Sequence, residues 1–167
     1  MKTGNQQLLY EPIRKWLQFH NIQSVITGAG GKRKNLVIPI GDLIPTKVYG
    51  VPDIIGIMGN KVVIVEVETK LDKIFEVIGK CMLWKIVATL VYVAYPLKKI
   101  DKIRLFERLG IGLLGVAKDE VKEIVKIIPQ EPLNLHNILE LHPLDYMKEM
   151  ELARLVKNMI ETTASEP

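Results

Sequence analysis

Apolar residues recur at two periods along the chain, and the switches between them mark its elements. From residue 5 to residue 20, Leu8, Leu9, Ile13, Trp16, Leu17 and Phe19 follow helical spacing, which predicts an amphipathic helix. Pro12 either marks its first turn or kinks it. Ile22–Thr27 reads as a strand, and Leu36–Ile40 as a second strand pairing back on it. Residues 41–52, with Pro45 and Pro52, read as a connector. Ile54–Met58 and Val62–Val65 are β-branched runs separated by Gly59-Asn60, the signature of a hairpin with a two-residue turn. Leu71, Ile74, Phe75, Ile78, Met82, Leu83 and Ile86 then repeat at three and four, predicting a second helix. Val87–Tyr95 is an almost unbroken apolar run closed by Pro96. It suits a buried strand parallel to residues 61–69, reached by a right-handed crossover. A short charged helix over Ile100–Leu109 follows, then a strand over Gly110–Val116 and an antiparallel strand over Val121–Ile128. After a connector, Leu144–Ile160 forms a last amphipathic helix that either caps the domain or makes a homodimer face.

Composition narrows the class. The 167 residues suit one domain, and 48% hydrophobic with 25% charged residues is ordinary for a globular chain able to bury a core. A net charge of +4 leans toward polyanionic partners. The single cysteine, Cys81, excludes an internal disulfide and any multi-cysteine zinc site, and its helical position predicts a core thiol. His136 and His142 lack metal-ligand spacing. No leader-like segment follows Met1, and no run approaches the ~18 apolar residues of a membrane span, so a cytoplasmic protein without membrane contact is expected. Abundant Ile, Val, Lys and Glu would suit a thermophile.

The chemistry concentrates in residues 52–70. With a two-residue turn, Met58 faces Lys61 and Asp53 falls across from Glu66. Directly opposed Cβ atoms lie roughly 4.5–5.5 Å apart. Period-two alternation puts Glu66, Glu68 and Lys70 on one face. Carboxylates gathered in this way repel, and either one takes a proton or the group binds a cation. All-oxygen ligands favour a hard cation, Mg²⁺ or Mn²⁺. The plain alternative is a solvated strand end, but Glu66 interrupts a run of buried type, where an unpaired carboxylate is costly. A second candidate is the loop Gly28–Asn35, whose Lys32, Arg33 and Lys34 would suit a nucleic-acid backbone or stand simply as solvated charges.

The stretch resembles the PD-(D/E)xK, or restriction-endonuclease-like, nuclease superfamily. Pro52-Asp53 looks like its PD, and Glu66-Val67-Glu68 like its (D/E)xK in an E-x-E variant. The resemblance, with the order of elements over about residues 5–95, implies an α/β fold: a mixed sheet flanked by helices with an α-β-β-β-α-β core, elaborated by residues 96–163. It implies Mg²⁺- or Mn²⁺-dependent endonucleolytic hydrolysis of DNA. Asp53 and Glu66 would hold the metal, Glu68 would be a further ligand or base, and Lys70 would replace the usual motif lysine. It also implies an acidic residue on the first helix, matched by Glu11, and leaves Lys73, Lys80 and Lys85 as basic candidates on the crossover helix. The alternative is a catalytically inactive member of this fold that binds nucleic acid or a protein partner.

Overall fold

The computed structural model describes residues 4–26, 36–38, 48–50, 52–59, 61–85 and 88–130. The basic loop with Lys32, Arg33 and Lys34, and the helix expected over Leu144–Ile160, lie outside these residues.

The first helix, α1, runs Gly4–Phe19 with Pro12 inside it. Its buried stripe is Gln6, Tyr10, Ile13 and Leu17, spaced four, three and four. Leu8 and Phe19, expected on that stripe, are 73% and 84% exposed. Each lies two residues beyond a stripe position, about 200° round a helix of 3.6 residues per turn. His20 sits at the helix end, its Nδ1 2.8 Å from the Trp16 carbonyl.

Strands β1 (Gln23–Ile26), β2 (Leu36–Ile38), β3 (Val48–Gly50), β4 (Ile54–Met58) and β5 (Lys61–Val67) follow. β2 does not pair with β1 as the sequence suggested. It pairs with β3, a strand inside the expected connector, in a separate two-stranded sheet, and β1 pairs with β4. Pairing with β1 covers the edge of β4 that β5 leaves open. The β4–β5 register is the one expected from Gly59-Asn60: Met58 faces Lys61 and Ile54 faces Val65. Gly59 takes the positive φ of 63° that a primed hairpin turn requires.

A single turn over Leu71–Lys73 leads into α2 (Ile74–Trp84), which crosses to β6 (Leu90–Pro96), parallel to β5 as expected. Then come α3 (Ile103–Leu109), β7 (Gly112–Val116) and β8 (Val121–Val125), the last two antiparallel with a register shift between Leu113 and Leu114. The main sheet is mixed, in the order β1-β4-β5-β6-β7-β8.

Helices cover both faces, which explains the unbroken apolar runs of the central strands. Val63, Val65 and Val67 of β5 pack with Tyr10, Ile13 and Leu17 of α1. Val62 and Ile64 pack with Ile74, Val77, Cys81 and Trp84 of α2 and with Phe106 of α3. Strand alternation therefore aims Glu66, the next even position, at the α2 side. Among the described residues no helix is long and apolar enough to cross a membrane.

Candidate functional site

The paired register ends at Ile54–Val65; Asp53 precedes β4, Glu66 lies in β5, and both line one cleft. Both are buried, at 1% and 4% exposure. Ionised carboxylates persist at such burial only with donors around them. Asp53 Oδ2 accepts from the Val67 backbone N–H at 2.9 Å, and Oδ1 from the Tyr10 hydroxyl at 3.1 Å. Glu66 Oε1 accepts from the Trp84 indole N–H at 2.7 Å. The Gln6 side-chain amide donates to the Val67 carbonyl, tying the start of α1 to the same strand end. Asp53, Glu66 and Gln6 open onto a cleft of about 150 Å³ between α1 and α2.

Glu68 and Lys70 also line this cleft, so the expected four residues share one place. They do not continue the strand face, because β5 ends at Val67. The Glu68 N–H still donates to the Ala94 carbonyl at 3.0 Å, but its carboxylate folds back. Glu68 Oε1 accepts from the N–H groups of Thr69 and Lys70 at 2.7 and 2.9 Å. Lys73 and Lys80 complete the rim, paired with Glu76 at 3.7 and 3.4 Å. Lys73 first, and then Lys80, hold the Glu76 carboxyl below its ordinary range. Lys85 points elsewhere and donates to the Leu109 carbonyl at 2.7 Å, near the C-terminus of α3. Among the described residues no three His, Cys, Asp or Glu side chains form a ready cation site. The donor set here is two buried carboxylates facing a polar cleft, which fits an ion that keeps most of its waters, as Mg²⁺ does.

Glu11 lies apart from these residues. It is exposed, hydrogen-bonded to Arg14 at 3.1 Å, and lines a different cavity with Trp16 and Phe19. The α1 residue at the cleft is Gln6. Its signal was in the sequence: Gln6 stands on the Tyr10-Ile13-Leu17 stripe, and a polar residue on a buried stripe needs a partner. Tyr10 and Trp84 were also passed over, yet each is an amphipathic ring that must find a hydrogen-bond partner when buried.

A further cavity, about 790 Å³, adjoins the cleft through Thr69 and Lys70. Its lining adds Lys99 and Lys118 to Lys70 over an apolar floor of Leu8, Leu9, Pro96 and Val116. Lys99 Nζ donates to the Thr69 carbonyl at 2.9 Å.

The charge of Glu66 is felt on both sides of the sheet end. Burial first, then Glu66, pushes the Tyr10 hydroxyl from 10.0 up to about 12. Burial first, then Glu66, also raises the Cys81 thiol well above its ordinary value, against the smaller opposing pull of Lys80 and Lys85. Burial likewise raises Tyr92 and Tyr95. A tyrosine whose pKa is raised on folding ionises first in the unfolded chain, so the unfolded chain holds fewer protons in that window. The stability these groups support is complete below pH about 10 and falls as pH climbs toward about 12. Urea midpoints measured at stepped alkaline pH should drop across this window, and the drop should be shallower in Tyr10→Phe. A flat profile would contradict the burial of these hydroxyls.

Fold and site define an α/β protein whose mixed six-stranded sheet, flanked by helices, gathers buried carboxylates at one strand end. No family model matches the chain, and no curated protein is similar to it. Among solved structures it is similar to the SPO1766 protein of unknown function from Silicibacter pomeroyi, with a TM-score of 0.60 at 11% identity. The match covers 99% of this chain and 89% of that one, and at this identity it speaks to the fold alone.

Proposed function

We propose that this chain is a Mg²⁺- or Mn²⁺-dependent endonuclease that hydrolyses DNA phosphodiester bonds on a restriction-endonuclease-like core. The observation that carries the reading is the pair Asp53 and Glu66, buried together at the wall of a lysine-rimmed cleft at one end of the β4–β5 hairpin. Support for the core comes from the order helix, strand, hairpin, crossover helix and parallel strand. A polyanion is favoured by Lys70, Lys73 and Lys80 around the cleft and Lys99 and Lys118 beside it.

Asp53 and Glu66 would hold the cation. The chemistry supplied there would be charge stabilisation on a phosphate oxygen and a lowered pKa for an attacking water. Tyr10 and the Val67 amide keep Asp53 in place, so the site needs little rearrangement on binding. Lys70 offsets the charge that grows on the phosphate, and Lys73 and Lys80 lie on the same rim. Glu68 serves as a further ligand or as the base for the water only after releasing the two amides it caps.

That capping favours a second reading, a nuclease-fold module that binds nucleic acid or a protein partner without cutting. Incubating the protein with supercoiled plasmid, branched DNA oligonucleotides and an RNA of the same sequence separates the two. Cutting of DNA that requires Mg²⁺ or Mn²⁺ and stops with chelator supports the enzyme. Salt-sensitive binding with no cutting under any metal would leave the module.

A further inference from the structure

Trp84 stands eighteen positions after Glu66 and returns to it because α2 is the crossover between β5 and β6. Val77, Cys81 and Trp84 form the buried stripe of that helix, and the stripe lies over the even positions of β5. Trp84 is 3% exposed, so its indole N–H must be satisfied inside the protein. The helix ends there, at Trp84, and carbonyls of its last turn are already taken: Cys81 O and Leu83 O accept from the Lys85 N–H, and Trp84 O from the Ala88 N–H. The indole instead donates to a carboxylate at 2.7 Å, the short distance of a charge-assisted bond. The bond engages Oε1 of Glu66, whose carboxylate lines the cleft.

We propose that Trp84 is a positioning residue of this centre, its indole N–H holding Glu66 in the orientation in which that carboxylate takes a divalent cation. The proposal rests on the metal-dependent reading given above. It treats the Trp84–Glu66 bond as an outer contact to a ligand, the kind whose loss typically costs about 10–100-fold in metal affinity. If the bond served only to satisfy a buried donor, metal affinity would not respond to its removal.

The test needs no nucleic acid and no turnover. Mn²⁺ binding is measured by calorimetry on the full chain, on Glu66→Gln and on Trp84→Phe, which keeps an aromatic ring and removes the N–H. In parallel, the indole N–H proton resonance is followed during a Mg²⁺ titration of Trp16→Phe, where Trp84 is the remaining one of two tryptophans. The expected result is binding by the wild-type chain, loss in Glu66→Gln, and an affinity about tenfold or more weaker in Trp84→Phe. The Trp84 resonance should move saturably with Mg²⁺. Binding by Trp84→Phe within about twofold of wild type, or a resonance that stays still while the ion binds, overturns the role of Trp84 and leaves the metal reading standing. Absence of binding to the wild-type chain overturns both. Should Trp84→Phe fail to fold, the resonance in Trp16→Phe decides alone.

Discussion

Under the proposed nuclease reading, Asp53→Asn and Glu66→Gln should each lower metal-dependent DNA cleavage by about a thousandfold while leaving the chain folded. On that reading, losing one of two charged ligands would remove several kcal/mol of transition-state stabilisation, and every 1.4 kcal/mol is about a factor of ten. The amide variants are chosen because they keep the local hydrogen bonds. In Glu66→Gln the new side chain retains an oxygen to accept from the Trp84 indole. In Asp53→Asn it retains one for the Val67 amide, while its new N–H₂ meets the Tyr10 oxygen. Alanine at either place would strand these buried donors, each at about 1–3 kcal/mol, and would confuse lost chemistry with lost structure. Cleavage rates and urea midpoints are therefore read on the same preparations. A thousandfold loss with midpoints near wild type assigns the carboxylates to chemistry. Variants that still cut at wild-type rates would remove Asp53 and Glu66 from the reaction. Lys70→Ala, compared with Lys73→Ala and Lys80→Ala, then identifies the cation that works with them, since all three line the cleft.

The hairpin was legible because two rules of fixed geometry act together: a Gly-Asn turn sets the register, and strand alternation sets the face. They place Asp53 beside Glu66 without any tertiary information. The crossover to a parallel buried strand was equally local, since an apolar run closed by proline has few other uses in a sheet. The β1–β4 pairing was not legible, because the choice of edge partner depends on where the rest of the sheet lies. For α1, every large apolar residue was assigned to the stripe, so Leu8 and Phe19 entered it while Gln6 and Tyr10 were passed over. A stripe traced by angle alone, keeping polar residues on it, would have found both. The turn of Glu68 onto its own backbone could not be foreseen, because alternation predicts side-chain direction only while the strand lasts, and β5 stops one residue earlier.

Gly112→Ala should destabilise the protein by about 3 kcal/mol, at the upper end of what overpacking usually costs. On its own the change ought to help. The φ of Gly112 is not positive, and glycine at such a place usually gives up about 0.4–1 kcal/mol to alanine through the entropy of the unfolded chain. Packing reverses the sign. Tyr92 of β6 pairs directly with Gly112 of β7, and its ring passes over the glycine so that its hydroxyl donates to Glu123 of β8 at 3.0 Å. A methyl group on Gly112 would overlap ring atoms Cδ1 and Cε1 and stand 3.0 Å from Cγ. The ring cannot step aside. It is 4% exposed and meets the edge of Trp16 from α1, with ring centroids 5.7 Å apart. For a chain of this size the loss corresponds to roughly 6–12 °C in Tm. Gly79→Ala supplies the contrast: Gly79 lies exposed in α2 with nothing within 4 Å of a new methyl, so alanine there should gain about 0.5–1 kcal/mol of stability. A double-mutant cycle with Tyr92→Ala isolates the cause, because removing the ring should relieve most of the cost of Gly112→Ala. If Gly112→Ala were as stable as wild type, β6 and β7 could not be packed in the register described, with Tyr92 lying across its partner.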